Sequence, residues 1–160
     1  GYVTYLNQTK IFVGVDEGII NKYGVYSNEC AKAMAQTVKE KLNTDIAIGI
    51  TGTTGNVDPN NADSVQGKVY FCIIAGEKVN SFEFDADVKG MDRHEIKLLY
   101  AEKVFEKLEI LITQTSHNSN SNNHILLIMS AINKLFCSQY IKLFCHQRTK
   151  IIAAERRVFA

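Results

Sequence analysis

Apolar and polar positions divide the chain into a few segments of distinct period. An unbroken apolar run, Ile46-Ala-Ile-Gly-Ile50, follows Asp45 and opens into Thr51-Gly-Thr-Thr-Gly55. Such a run predicts a short buried strand that ends in a turn of glycines and hydroxyls. Upstream, Cys30, Met34, Val38 and Leu42 recur every four residues, with Lys32, Lys39, Glu40 and Lys41 off that stripe. This spacing predicts an amphipathic helix capped by Ser27, ended by Asn43 or Thr44, with one face on a sheet. Cys30 and Met34 are then packing residues rather than a redox or ligand pair. Residues 68–76 are apolar nearly throughout and predict a central strand covered on both faces. Gly76-Glu77-Lys78 reads as a tight turn, and 79–86 as its antiparallel hairpin partner. Asp92 is placed to cap a long amphipathic helix over 93–113, where Ile96, Leu99, Tyr100, Val104, Leu108 and Leu111 keep helical spacing and would pack on the sheet.

The ends of the chain are less periodic. Residues 1–5 read as a strand, followed by a polar turn and a short helix or irregular turn. Residues 15–26 carry Gly18 and Gly24 and read as a connector with a helical turn around Ile19 and Ile20. The chain therefore looks as if it begins mid-domain. The element order predicts an α/β fold, a three-layer α/β/α sandwich with a mixed sheet. Its domain would span 1–113, with a polar linker at 114–124 rich in serine and asparagine. Beyond it, 125–160 is an extra basic amphipathic segment. Its apolar face with Arg148, Lys150, Arg156 and Arg157 suits three readings: packing on the domain, an interfacial membrane contact by 125–145, or a frameshifted or read-through end.

Composition narrows the class without choosing a function. At 160 residues, 46% hydrophobic and 22% charged, the chain is an ordinary globular domain. A formal net charge of +1 supplies no global attraction to nucleic acid, and no nucleic-acid partner is expected. Cys30, Cys72, Cys137 and Cys145 form no Cys-x-x-Cys pair, so reduced thiols, no metal and a cytoplasmic setting are the simplest reading.

The candidate chemistry is local. Gly52 and Gly55 are able to take positive φ, so backbone N–H groups of that turn, with the hydroxyls of Thr51, Thr53 and Thr54, would cradle an oxyanion or phosphate. The plainer reading is a turn shaped by glycine alone. Tyr5 and Lys10 would set a phenol and an ammonium beside one pocket if the chain turns between them; otherwise they are a half-buried tyrosine and a solvated lysine. The loop from Asn56 to Val65, with Pro59, lacks the spacing of a calcium loop and reads as a mobile loop over a pocket.

Several separated motifs resemble one family. Gly1-Tyr-Val-Thr-Tyr-Leu-Asn-Gln-Thr-Lys10, Tyr23-Gly-Val-Tyr-Ser-Asn-Glu-Cys-Ala-Lys-Ala-Met-Ala35, Ile48-Gly-Ile-Thr-Gly-Thr-Thr-Gly55 and Gly67-Lys-Val-Tyr70 are similar to the CinA C-terminal domain, over residues 1 to about 112. The resemblance implies a nicotinamide-nucleotide amidohydrolase that converts nicotinamide mononucleotide and water to nicotinate mononucleotide and ammonia. It implies no cofactor and no metal, and a homodimer. A serine would attack the carboxamide while a lysine–tyrosine pair manages its proton. Tyr5 and Lys10 match that pair, in a motif where Asn7 is also kept. Thr51, Gly52, Thr53, Thr54 and Gly55 match the turn beside the substrate, and Arg93 matches an arginine placed to meet the 5′-phosphate.

The departures bear on activity. The Glu-Ser-Cys-Thr-Gly-Gly stretch that carries the family's serine occurs nowhere in these 160 residues. The first strand and helices of the family domain are missing with it. Leu6 stands where the family has serine, Thr54 replaces alanine, Asn56 replaces proline, and Lys97 replaces an arginine, losing bidentate phosphate recognition. Ser27 and Ser64 have no equivalent role. Impaired turnover is the resulting expectation, and the alternative is a non-catalytic nucleotide-binding or interaction module.

Overall fold

Gly49 fixes where the main helix lies on the sheet. A Cβ there would stand 2.1 Å from the Ala31 carbonyl oxygen and 2.6 Å from the Ala35 nitrogen, so only glycine lets the two backbones approach this closely. In this computed structural model the described residues are 1–54, 58, 60, 61 and 64–116. They form α1 (Asn7–Phe12), α2 (Glu17–Tyr23), α3 (Asn28–Leu42), β1 (Ile46–Gly52), β2 (Lys68–Ala75), β3 (Lys78–Asp85) and α4 (Arg93–Ser116). The chain divides into two compact units, Gly1–Lys97 and Leu98–Ala160.

The first unit carries the sheet, ordered β1-β2-β3 with both pairings antiparallel. The α/β class stands, but the expected mixed sheet is antiparallel among the described strands, apart from an isolated parallel bridge between Thr53 and Gln66. The reason is connectivity: a parallel neighbour needs a crossover, normally a helix, whereas no helix among the described residues stands between β1 and β2. Strand β2 is central, as its composition requires, with Phe71, Cys72, Ile73 and Ile74 all buried. Cys72 and Ile74 meet Ala31 and Ala35 of α3, while Phe71 stacks on Phe82 across the hairpin at 5.0 Å between ring centroids. Gly76, at φ +60, occupies the position where a two-residue type II′ hairpin needs glycine.

Helix α3 begins as its sequence dictates. The Ser27 hydroxyl accepts the Cys30 N–H at 3.1 Å and donates to the Gly24 carbonyl at 2.9 Å. Asn43 ends it in the left-handed region, at φ 48 and ψ 55. Its buried face keeps only the start of the expected Cys30–Met34–Val38–Leu42 stripe, where Cys30 is buried and Met34 packs beside it. Cys30, Ala31, Ala33, Ala35 and Thr37 are buried, whereas Leu42 is 43% exposed. Alanines line the helix because it is enclosed on two sides. Ala31 and Ala35 face the sheet, and Cys30 and Ala33 face Val15, Ile20 and Val25.

Residues 1–5 form no strand. The Thr4 carbonyl accepts a hydrogen bond from the Lys10 ammonium instead of joining a ladder. The following polar stretch is helix α1, and the expected connector contains a full helix, α2, capped by Asp16, whose carboxylate accepts the Gly18 N–H at 2.6 Å. At α4, Asp92 accepts the N–H groups of His94 and Glu95, and Glu95 accepts the Asp92 N–H at 2.7 Å, completing a capping box. Ile96 is buried in the first unit; in the second, Tyr100, Val104 and Leu108 continue a buried stripe at four-residue intervals. Helix α4 runs through Ser116, so 114–116 of the expected linker continue it. The rest of the linker, the segment 125–160, Cys137 and Cys145 lie outside the described residues, as does Pro59.

Candidate functional site

Lys10 ends on the inner side of α1, whose six residues bury that side chain alone. It is only 5% exposed, and its Nζ donates to the Thr4 carbonyl at 3.0 Å. The reading of Lys10 as a solvated cation is thereby corrected. Burial pushes its pKa below the ordinary lysine value, and the nearby Cys30 and Asp58 partly oppose that shift. The Cys30 thiol is pushed up by burial, against the pull of Lys10.

Tyr5 lies just before α1 and is 57% exposed. Leu6, at the N-cap of α1, provides no side-chain cap. Asn7 turns toward the loop that follows β1, where its Nδ2 donates to Asn61 Oδ1 at 3.1 Å. That loop is organised by Asp58. Asp58 Oδ2 accepts from Asn61 Nδ2 at 2.6 Å and from the Tyr26 hydroxyl at 2.9 Å, and Oδ1 accepts the Asn60 N–H at 2.9 Å. The Asn61 bond, then the Asn60 N–H, and further the Tyr26 bond and the Lys10 charge hold the Asp58 carboxyl below the usual carboxylate range. Buried Ser64 accepts the Asp58 N–H at 2.7 Å, so its hydroxyl shapes the loop.

The glycine-threonine turn is placed differently from the expectation. Gly52 is the last residue of β1 and does not take positive φ. Glycine is needed there for closeness, since a Cβ would come within 2.8 Å of the Lys68 carbonyl oxygen. Thr51 is buried, and its hydroxyl donates to the Val25 carbonyl at 2.7 Å, tying β1 to the segment between α2 and α3. Thr53 is buried at the bridge to Gln66, Thr54 is half-buried, and Gly55 lies outside the described residues. Arg93 is exposed in the first turn of α4.

The fold therefore gathers Lys10 and Asn7 with a set that sequence reasoning passed over: Asp58, Asn61, Tyr26 and Ser64. Asp58-Pro-Asn-Asn61 carried a signal, because such residues bond their own backbone in turns. Nothing local could pair Asp58 with Tyr26, 32 positions away. A lysine whose ammonium is destabilised by burial can accept a proton as a general base, and amide side chains can orient a carboxamide. Among the described residues no cluster of three or more His, Cys, Asp or Glu could hold a metal ion, and no helix is long and apolar enough to cross a membrane.

Comparison with known proteins places the chain in a family. The CinA C-terminal domain matches residues 1–112. Protein MG115 of Mycoplasma genitalium is 33% identical over 115 residues, covering 71% of each chain. A CinA-like protein of Acidobacterium capsulatum is 32% identical over 107 residues, which are 66% of this chain and 25% of that one. Among solved structures, the competence/damage inducible protein CihA from Agrobacterium tumefaciens shares 28% identity at a TM-score of 0.58, covering 71% of this chain and 66% of that one. The chain thus spans about a quarter of that longer CinA-like relative and less than two thirds of that solved structure. With the match running through α1, the Asp58 loop and the sheet, the chain belongs to the CinA C-terminal domain family.

Proposed function

We propose that the Lys10–Asn7–Asp58 group forms part of a pocket for nicotinamide mononucleotide, and that the chain is a nicotinamide-nucleotide amidohydrolase impaired in turnover. The observation that carries this reading is Lys10, buried and bonded to the Thr4 carbonyl within Tyr5-x-Asn7-x-x-Lys10. The reaction breaks the carboxamide C–N bond and forms a C–O bond, consuming water and releasing ammonia. Burial favours the unprotonated form of Lys10, which would accept the proton of the attacking hydroxyl, and Tyr5 would pass it to the leaving nitrogen. Thr53, Thr54 and the backbone after Gly52, including Gly55, would line the substrate, with Thr51 holding that wall through its Val25 bond. Arg93 would meet the 5′-phosphate. No cofactor enters this chemistry, and a homodimer in the cytoplasm belongs to the same reading.

Leu6 stands in place of a serine in the Lys10 motif. That substitution favours a second reading, a nucleotide-binding module without catalysis. Adding nicotinamide mononucleotide should raise the melting temperature while releasing little ammonia. No thermal shift would sink both readings, and sustained ammonia release by this chain alone would overturn the impairment.

A further inference from the structure

We propose that Asp58 is a positioning residue for the Asn7–Lys10 pair: through Asn61 it orients the Asn7 carboxamide, and it places a compensating charge near the Lys10 ammonium. The proposal rests on the pocket assignment above and extends it to a residue outside the motifs that suggested it.

The polarity of the hydrogen-bond chain singles out a carboxylate. Asp58 Oδ2 accepts from both Tyr26 Oη and Asn61 Nδ2, while Oδ1 accepts the Asn60 N–H. Three donors converge on one side chain that, when ionised, has only acceptors to offer. With its Nδ2 committed to Asp58, Asn61 turns Oδ1 toward Asn7 and accepts from Asn7 Nδ2. The orientation of Asn7 is thus set two bonds away, from Asp58. An asparagine at 58 would present an amide N–H₂ to one of these donors and reverse the chain. Tyr26 anchors the carboxylate to the segment before α3, so the loop is held from two directions.

The same carboxylate acts on Lys10 through space. Lys10 bonds the Thr4 carbonyl, and its charge is felt by the Cys30 thiol of α3 and by Asp58 from the loop after β1. Cys30 and, to a smaller extent, Asp58 raise the proton affinity of Lys10 against its burial, and Asp58 is the stronger acid of the two. Removing the Asp58 charge leaves burial less opposed.

The test follows the Lys10 ammonium by NMR of lysine-labelled protein, with its signal identified through Lys10→Arg, in the wild type, Asp58→Asn and Asn61→Ala. Calorimetry with nicotinamide mononucleotide runs in parallel. In Asp58→Asn, Lys10 should titrate at lower pH, and binding should weaken. In Asn61→Ala, the charge remains, so Lys10 should titrate as in the wild type, while binding weakens about tenfold from loss of the relay to Asn7. A purely structural Asp58 would lower the melting temperature without moving the Lys10 titration, and that result overturns the charge role. Wild-type affinity in Asn61→Ala overturns the relay. If the wild type itself fails to bind the nucleotide, the pocket assignment falls, while the Lys10 titration still decides the electrostatic part.

Discussion

The contact of α3 with the sheet and the Lys10–Asp58 cluster lie in the same compact unit and are held together by opposite means. At the first, Ala31 and Ala35 lie on Cys72 and Ile74, and Gly49 removes the last side chain between the backbones. Dispersion and apolar burial stabilise that contact, which tolerates little change in volume. At the second, two carboxamides, a phenol and a carboxylate satisfy one another through directed hydrogen bonds, and the buried Lys10 ammonium donates to the Thr4 carbonyl. Charge and donor polarity govern it more than volume does. The first region should therefore respond to added atoms and the second to altered protonation.

The largest expected effect is in the packed region. Gly49→Ala should destabilise the protein by about 1–3 kcal/mol, because both nearest atoms are backbone and the helix must move. Urea unfolding measures this, and a midpoint unchanged from the wild type would show that α3 does not lie so close to β1. A smaller gain is expected beside the site. Leu6→Ser supplies the missing N-cap of α1 and should stabilise by about 1 kcal/mol in the same assay. No gain would mean that the N-terminal N–H groups of α1 already have equivalent partners.

The smallest effect is a trend with pH. Burial lowers the folded-state pKa of Lys10, so between that value and the unfolded value of about 10.4 the unfolded chain binds more protons. Wild-type stability from this group thus rises with pH through that window and is lost as pH falls through the folded pKa. Lys10→Met has no such contribution, so its stability relative to the wild type should decline as pH rises toward about 10.4. Parallel curves for the two proteins would place Lys10 in water rather than in the interior.

How far each region could be read in advance follows from the range of its forces. The β2 run, the β2–β3 hairpin, the Ser27 cap and the Asp92 cap all depend on neighbours within a few positions, and each formed as its residues predict. The first five residues misled because β-rich composition makes a strand only where a sheet neighbour accepts it. Helix α3 misled for a related reason. Its larger apolar residues mark a stripe, but its alanines mark where other backbones come close. At the site, Lys10, Asn7 and the threonine turn were identified by resemblance, whereas Asp58, Asn61 and Tyr26 were not.

The sequence by itself determined where α3 and α4 begin, where the hairpin turns and which motifs the chain shares with its family, because periodicity, caps and glycine turns act over short spans. Only the tertiary structure decided that Gly52 serves closeness rather than positive φ, that Thr51 holds the Val25 carbonyl, and that Asp58 joins Tyr26 and Asn61 near Lys10. Burial and hydrogen-bond geometry depend on segments distant in the chain, and those meet only once α1, α3 and β1 have packed.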